Sequence, residues 1–218
     1  MLYLTRARLS DDASVNALLP LLRAGGGDTR RSHHLVWSLM SDGPERERDF
    51  LYRQADHGNI YVLSDRRPPV SALWVSETRS IPEFKQDDCL RFTLRANPVL
   101  RRRREDGRVA KIDPIMDRLH GLPPNQRRER RMDIAREVVE TWLRNIGRRS
   151  GFDLGPMALI AYRQERMRKE GAGSVTFSVV EVSGELRVTD DSAFADRLRQ
   201  GFGASRAWGC GLMLCRRI

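Results

Sequence analysis

The strongest constraint on the fold is a single amphipathic helix in the second half of the chain. Between Asp133 and Ile146, the apolar residues Ile134, Ala135, Val138, Val139, Trp142, Leu143 and Ile146 recur at helical spacing, and Gly147 is a natural stop. Such a stripe has to be buried against another layer. The neighbouring segments read as sheet. Leu90 to Ala96 alternates apolar and polar side chains, and Pro98 ends it because proline has no N–H for the ladder. Ala158 to Met167 and Ser174 to Val188 read as further strand, the second with a turn at Ser183-Gly184. Ser192 to Gln200 reads as a short helix, and Leu212 to Cys215 as a last strand.

The first half repeats this order without repeating the sequence. Leu2 to Leu9 alternates as a strand, Gly25-Gly26-Gly27 breaks the chain, and Asp28 is placed to cap a helix running to about Met40. Asn59 to Leu63 and Val70 to Val75 read as strands joined by Asp65 to Pro69. Arg46 to Gln54 is the segment that could supply a second helix, and Pro82 to Asp88 reads as a polar linker. Each half is then strand, helix, strand, strand, helix or loop, strand, which is the ferredoxin-like pattern. The expected fold is α+β: two tandem ferredoxin-like (RRM-like) domains, with antiparallel sheets and helices on one face. Residues 1–86 would form the first domain and 87–218 the second.

Charge narrows the partners. Thirty-nine basic residues against 29 acidic ones give a net charge of +10, and 36 of the basic residues are arginine. This favours a polyanion, nucleic acid before an anionic membrane surface. Residues 101–131 alone hold ten Arg and one Lys against five acids. Cys89, Cys210 and Cys215 are odd in number and lack C-x-x-C spacing, which argues against a disulfide framework or a zinc site and reads as buried free thiols in a reducing compartment. The N-terminus is too short and interrupted for a signal peptide, and no apolar run approaches a membrane span. A cytoplasmic protein without membrane contact is expected.

Gly201, Gly203, Gly209 and Gly211 lie within eleven residues at the C-terminus. Glycine lets backbone approach a phosphate closely, successive N–H groups can cradle an anionic oxygen, and Arg206 adds a cationic fork. A dinucleotide site needs a strand before its glycines and a helix after them; the order here is reversed. The plainer reading is a turn that packs a helix tightly on a sheet.

The spacing Gly201-x-Gly203-x-x-x-x-x-Gly209-x-Gly211-Leu212 before a final strand resembles the signature of the repeat-associated RNA-binding superfamily. Met1-Leu-Tyr-Leu-Thr-Arg6, Arg91-Phe-Thr-Leu-Arg-Ala-Asn-Pro98 and Trp142-Leu143 resemble its CasE branch, the pre-crRNA-processing endoribonucleases of type I-E CRISPR systems. The resemblance runs nearly end to end. It implies two ferredoxin-like folds, metal-independent cleavage at a repeat hairpin, no cofactor, retention of the crRNA, and assembly into Cascade through its backbone subunit.

The chain has four histidines: His33, His34, His57 and His120. A metal-free RNA nuclease can use the substrate's own 2′-hydroxyl and needs a group that moves protons near neutral pH, which suits imidazole. A His-His pair alone is more often solvated or structural. In the family, a catalytic histidine sits in the first helix, and His33-x-x-x-Trp37-x-Leu39 aligns with it. The resemblance therefore selects His33 over His34, with Arg30 beside it to contact phosphate. Relatives often carry a tyrosine where this chain has Arg30, and a basic residue or histidine where it has Ser38.

For RNA contact the sequence offers Gly201, Gly203, Ser205, Arg206, Gly209 and Gly211 in the loop. It also offers Arg101 to Arg104, Arg127, Arg128, Arg130, Arg131 and the run from Arg163 through Arg166 and Arg168 to Lys169. Duplex RNA is read mostly through its backbone, which suits arginine clusters, although any one cluster could be a solvated face. Trp208 is placed either to stack on a base or, more commonly for tryptophan, to pack in the core. Two other readings stand: a non-catalytic RNA-binding subunit of the same superfamily, and a DNA-binding or ribosome-associated protein. No helix-turn-helix or zinc-finger spacing favours the latter.

Overall fold

The computed structural model describes residues 1–13, 27–43, 45–103, 105–168 and 173–218, with only the backbone of 27–32, 167 and 168. Gly25 and Gly26 lie outside the described residues. The first sheet is built from β1 (Tyr3–Leu9), β2 (Phe50–Gln54), β3 (Ile60–Ser64) and β4 (Trp74–Ser80), with α1 (Gly27–Met40) between β1 and β2. Its strand order is β2-β3-β1-β4, with antiparallel neighbours. In the second half, β5 (Cys89–Ala96) is followed by a two-stranded hairpin, β6 (Leu100–Arg103) and β7 (Val109–Ile112). Then come α2 (Pro114–His120), α3 (Pro124–Arg127), α4 (Arg131–Gly147), β8 (Phe152–Arg168), β9 (Ser174–Val188), α5 (Asp191–Gln200) and β10 (Met213–Arg217). Strands β5, β8, β9 and β10 form a second sheet in the order β10-β5-β9-β8. Counting strands within each half, both sheets have the same order, 4-1-3-2 or its reverse, which is the ferredoxin-like arrangement.

The alternation read from the sequence sets the faces. Leu90, Phe92, Leu94 and Ala96 of β5 turn toward Ile134, Ala135, Val139, Trp142 and Leu143 of α4 and Phe194 and Leu198 of α5. In the first sheet, Ala7, Phe50, Tyr52, Ile60 and Val62 meet Val36, Leu39 and Met40 of α1. The opposite face turns Leu2, Leu51 and Leu63 toward Leu212 of the second half. Arg95, on the matching face of β5, pairs with Glu165 at 2.5 Å and Glu181 at 3.3 Å, and Arg53 of β2 donates to Thr93 Oγ1 at 3.2 Å. Among the described residues, no helix is long and apolar enough to cross a membrane.

Several local expectations are corrected. Arg46 to Gln54 is not a helix: its second half is edge strand β2, with Phe50 and Tyr52 buried beneath α1. Among its described residues the first domain shows no second α-helix, only a 3-10 turn at Asp56–Gly58, and β3 passes to β4 through a loop. The strand expected at Val70 to Val75 is instead Trp74–Ser80, where polar side chains face solvent. No turn interrupts β9 at Ser183-Gly184; the ladder with β8 is irregular there, between Leu154 and Met157, and Pro156 O would lie 2.7 Å from a Cβ on Gly184. The hairpin β6–β7 and the short helix α3 had no hydrophobic period to reveal them, while α2, capped by Asp113 and burying Ile115 and Leu119 one turn apart, was missed despite those signals. Cys89 is exposed rather than buried.

The loop from Gly201 to Gly211 is tied to the end of β5. Gly211 N–H donates to Arg95 O at 2.7 Å, Ala204 N–H to Asn97 O at 2.9 Å, and Asn97 Nδ2 to Ser205 Oγ at 2.7 Å. Gly203, at φ +79°, sits so close that a Cβ would lie 2.3 Å from Asn97 O. Gly107, at φ +78° in the β6–β7 turn, faces open space. Gly107→Ala should therefore cost only the left-handed backbone penalty, about 1–2 kcal/mol. Gly203→Ala should cost clearly more, because the carbonyl it strikes anchors the loop. Urea unfolding of both variants checks this, and equal losses would show that the close approach does not matter.

Candidate active site and basic surface

The glycine loop carries a short 3-10 turn, Arg206–Trp208, back against the first domain. Tyr52 donates its hydroxyl to Ala207 O at 3.0 Å, and Gly209 comes within van der Waals distance of the Tyr52 ring, where a Cβ would stand 3.3 Å from Cε2. Burial pushes the Tyr52 phenol well above its ordinary range, so this donor stays protonated at any working pH. The next residue, Trp208, lies against His33 of α1 with ring centroids 5.0 Å apart. Phe177, Val179 and Cys210 pack around the other parts of Trp208 and hold it on the second sheet.

His33 is held from its own helix as well. One turn further along α1, Trp37 donates its indole N–H to His33 Nε2 at 3.1 Å. Indole can only donate, so Nε2 is an acceptor, and a neutral His33 ring carries its proton on Nδ1. Trp37 is in turn fixed against Phe50, with centroids 5.4 Å apart. His34 meets the His33 ring edge-on at 5.7 Å. At the position five beyond His33, Ser38 Oγ donates to Leu35 O at 2.8 Å and accepts from Trp74 Nε1 at 3.1 Å. That hydroxyl serves the fold and adds no cation.

Five of the loop's eleven amides are engaged. Gly201 N–H donates to Arg197 O, Phe202 N–H to Gly211 O, and Trp208 N–H to Ser205 O, besides the Ala204 and Gly211 bonds to β5. The glycines thus act first as spacers against Leu51, Tyr52 and Asn97. Arg206 donates through Nε to Gly203 O at 3.2 Å; burial, with Arg48 nearby, pushes its guanidinium down. Arg48 is likewise pushed down by burial, and its Nη1 is buried without a hydrogen-bond partner among the described residues.

Other basic residues lie apart from His33 in the fold. Arg127 donates to Leu122 O and His120 O and so holds the turn between α2 and α3. Arg131 lies over the Tyr162 ring at 4.7 Å, and Arg128 and Arg130 are exposed. Arg101, Arg102 and Arg103 stand exposed on β6. Arg163 pairs with Glu165 and Glu181, while Arg166 donates to Ser174 Oγ at 2.8 Å on β8, a strand that α1 touches. The side chains of Arg30 and Arg168, and the whole of Arg104 and Lys169, lie outside the described residues. Sequence reasoning missed Trp37, Tyr52 and Arg48. A tryptophan one helical turn after a histidine was a signal for the first; the other two are visible only once β2 is known to be a strand.

The sequence profile of the family described as "CRISPR associated protein" matches residues 2–217. The chain is 28% identical over 204 residues to the CRISPR system Cascade subunit CasE of Escherichia coli K12, covering 88% of this chain and 94% of that one. Among solved structures it resembles the CRISPR endoribonuclease Cse3 bound to a 19-nucleotide RNA, with TM-score 0.66 and 22% identity over 99% of this chain and 100% of that one. It also resembles Cas6e from E. coli K-12, with TM-score 0.63 and 19% identity over 99% and 100% of the two chains. The tandem ferredoxin-like fold is thus shared, and the chain belongs to the CRISPR-associated protein family, alongside CasE.

Proposed function

We propose that this chain is an endoribonuclease that cuts precursor crRNA at its repeat hairpins without a metal ion, and that it keeps the crRNA as a subunit of Cascade, next to the backbone subunit. The observation that carries this reading is the setting of His33: an imidazole on the first-domain helix, hydrogen-bonded by Trp37 and faced by Trp208 of the glycine loop. The names of the relatives, a Cascade subunit and an RNA-bound endoribonuclease, support the substrate class.

In the reaction, a ribose 2′-oxygen attacks the adjacent phosphorus in line and the P–O5′ bond breaks. The 2′-hydroxyl loses its proton, and the departing 5′-oxygen gains one. The products are a 2′,3′-cyclic phosphate and a 5′-hydroxyl end. His33 is the group that carries a proton; its Nε2 faces the Trp37 N–H in the free protein, so that hydrogen bond has to give way for Nε2 to exchange a proton with the RNA. Arg30 and Arg206 offset charge on the phosphoryl oxygens. The remaining RNA contacts fall to Gly201, Gly203, Ser205, Gly209 and Gly211 of the loop, and to Arg127, Arg128, Arg131, Arg166, Arg168 and Lys169 along the stem. A non-catalytic RNA-binding subunit is the second reading, favoured by Ser38, whose hydroxyl is committed to Leu35 and Trp74 where relatives place a basic group.

Cognate repeat RNA incubated with the protein in EDTA separates the two readings: cleavage is expected, and intact RNA at saturating protein would eliminate the nuclease. In the same assay His33→Ala should slow single-turnover cleavage by roughly 10²–10⁴-fold while hairpin affinity stays within about twofold. Full activity would remove His33 from the mechanism.

Trp37→Phe keeps the ring beside Phe50 and removes the indole N–H. Nitrogen NMR of the wild type should show His33 with its proton on Nδ1, and in the variant the proton should move to Nε2. Cleavage should fall by about 10- to 100-fold as the ring loses its fixed orientation, with the pH profile displaced. An unchanged tautomer in the variant would show that Trp37 is only packing.

A further inference from the structure

Beside the glycine loop lies a cavity of about 830 Å³ between the start of β6, the end of α4 and the end of α5. Five arginines line it: Arg101, Arg148, Arg149, Arg197 and Arg206. None of them is paired with a carboxylate among the described residues, although most arginines elsewhere on this surface are: Arg91 with Glu185, Arg102 with Asp117, Arg144 with Glu140, Arg217 with Asp88. Three are oriented through Nε alone. Arg149 donates to Asn145 O at 3.1 Å, Arg197 to Ser150 Oγ at 2.9 Å, and Arg206 to Gly203 O at 3.2 Å. Their terminal nitrogens have no partner among the described residues. Burial pushes the guanidinium groups of Arg197 and Arg206 down, helped at Arg197 by repulsion from Arg206 and Arg149 and at Arg206 by Arg48. Holding like charges together without acids costs folding free energy, so an anionic ligand is the natural complement.

We propose that this cavity binds a single-stranded segment flanking the repeat hairpin, through its phosphates, separately from the surface that holds the stem. Its volume lies within the range of pockets that enclose a ligand of nucleotide size, roughly 300–1,000 Å³. A duplex, by contrast, is read across broad open surfaces. Single strands place bases on guanidinium planes and apolar side chains while arginines follow the backbone. Leu100, 45% exposed at the mouth of the cavity, offers an apolar surface for a base. The cavity shares Gly203 and Arg206 with the loop that carries Trp208 to His33, so it adjoins the proposed cleavage site. The proposal rests on the RNA-cleaving reading but concerns binding alone.

The test compares three RNAs: a blunt repeat hairpin, and the same hairpin with an extension of about four nucleotides at its 5′ or its 3′ end. The wild type should bind one extended RNA more tightly than the blunt one, and which end confers the gain identifies the strand. The double variant Arg148→Ala/Arg149→Ala should lose that gain, about tenfold, and shed roughly 0.7 of the logarithmic salt slope per lost phosphate contact. It should bind the blunt hairpin as the wild type does. Arg91→Ala/Arg187→Ala, of equal charge change on a distant face, should not discriminate among the RNAs. Equal weakening of all three RNAs by the first variant, or no effect on any, would overturn the proposal. Failure of the wild type to bind any of them would instead overturn the proposed function.

Discussion

The structure turns on the dock between the glycine loop and edge strand β2. Tyr52 donates to Ala207 O, Gly209 lies on the Tyr52 ring, and Leu51 meets Leu212 on the other face of the strand. Edge strands need covering, and a loop from the other domain provides that cover here. The dock also brings together residues 175 positions apart in sequence: Trp208 reaches His33 only because the loop follows β2. The candidate site is therefore a property of the two domains together. The Arg53–Thr93 bond joins the two domains at the same interface.

The two sequence motifs most suggestive of the family turn out to be one physical unit. Arg91 to Pro98 is β5 and its exit, and the atoms it offers the loop are Arg95 O, Asn97 O and the Asn97 amide. The glycines at 201, 203, 209 and 211 are the positions where that loop runs against Leu51, Asn97, Tyr52 and Phe202. The motifs were legible because close packing leaves so few alternatives. The phosphate-cradle reading of the same glycines leaves out the hydrogen bonds that tie five of the loop's amides within the loop, to α5 and to β5.

Periodicity made the second domain legible: β5, α4, β9 and α5 are half-buried elements whose apolar residues recur at the right spacing. It failed at β2, five residues long, where Phe50, Leu51 and Tyr52 are all buried because both faces are covered. A strand buried on both sides has no alternation to read. Losing β2 meant losing the dock, and with it Tyr52 and the place of Trp208. It failed again at β6 and β7, whose exposed arginines carry no apolar pattern. Net charge was legible, but not its distribution. Exposed pairs such as Arg91–Glu185 contribute little stability, yet each cancels a positive charge locally. The surplus of +10 is then felt most where acids are missing, around the cavity beside the loop.

The chemistry at the dock can be narrowed by asking which groups there can exchange a proton near neutral pH. Burial raises the Tyr52 phenol far above its usual range and pushes the Cys210 thiol up to about 11. The first is a fixed donor, and the second is not a thiolate nucleophile under working conditions. Arg206 and Arg48, although pushed down by burial, remain guanidinium cations and serve as fixed charge. Imidazole is the remaining side chain whose ordinary range spans neutrality. Between the two histidines of α1, His33 is the one bonded by Trp37 and faced by Trp208, so its ring is held. An arrangement with one titratable group among fixed donors and fixed cations suits a reaction in which the substrate brings its own nucleophile and the protein has only to move a proton and stabilise charge.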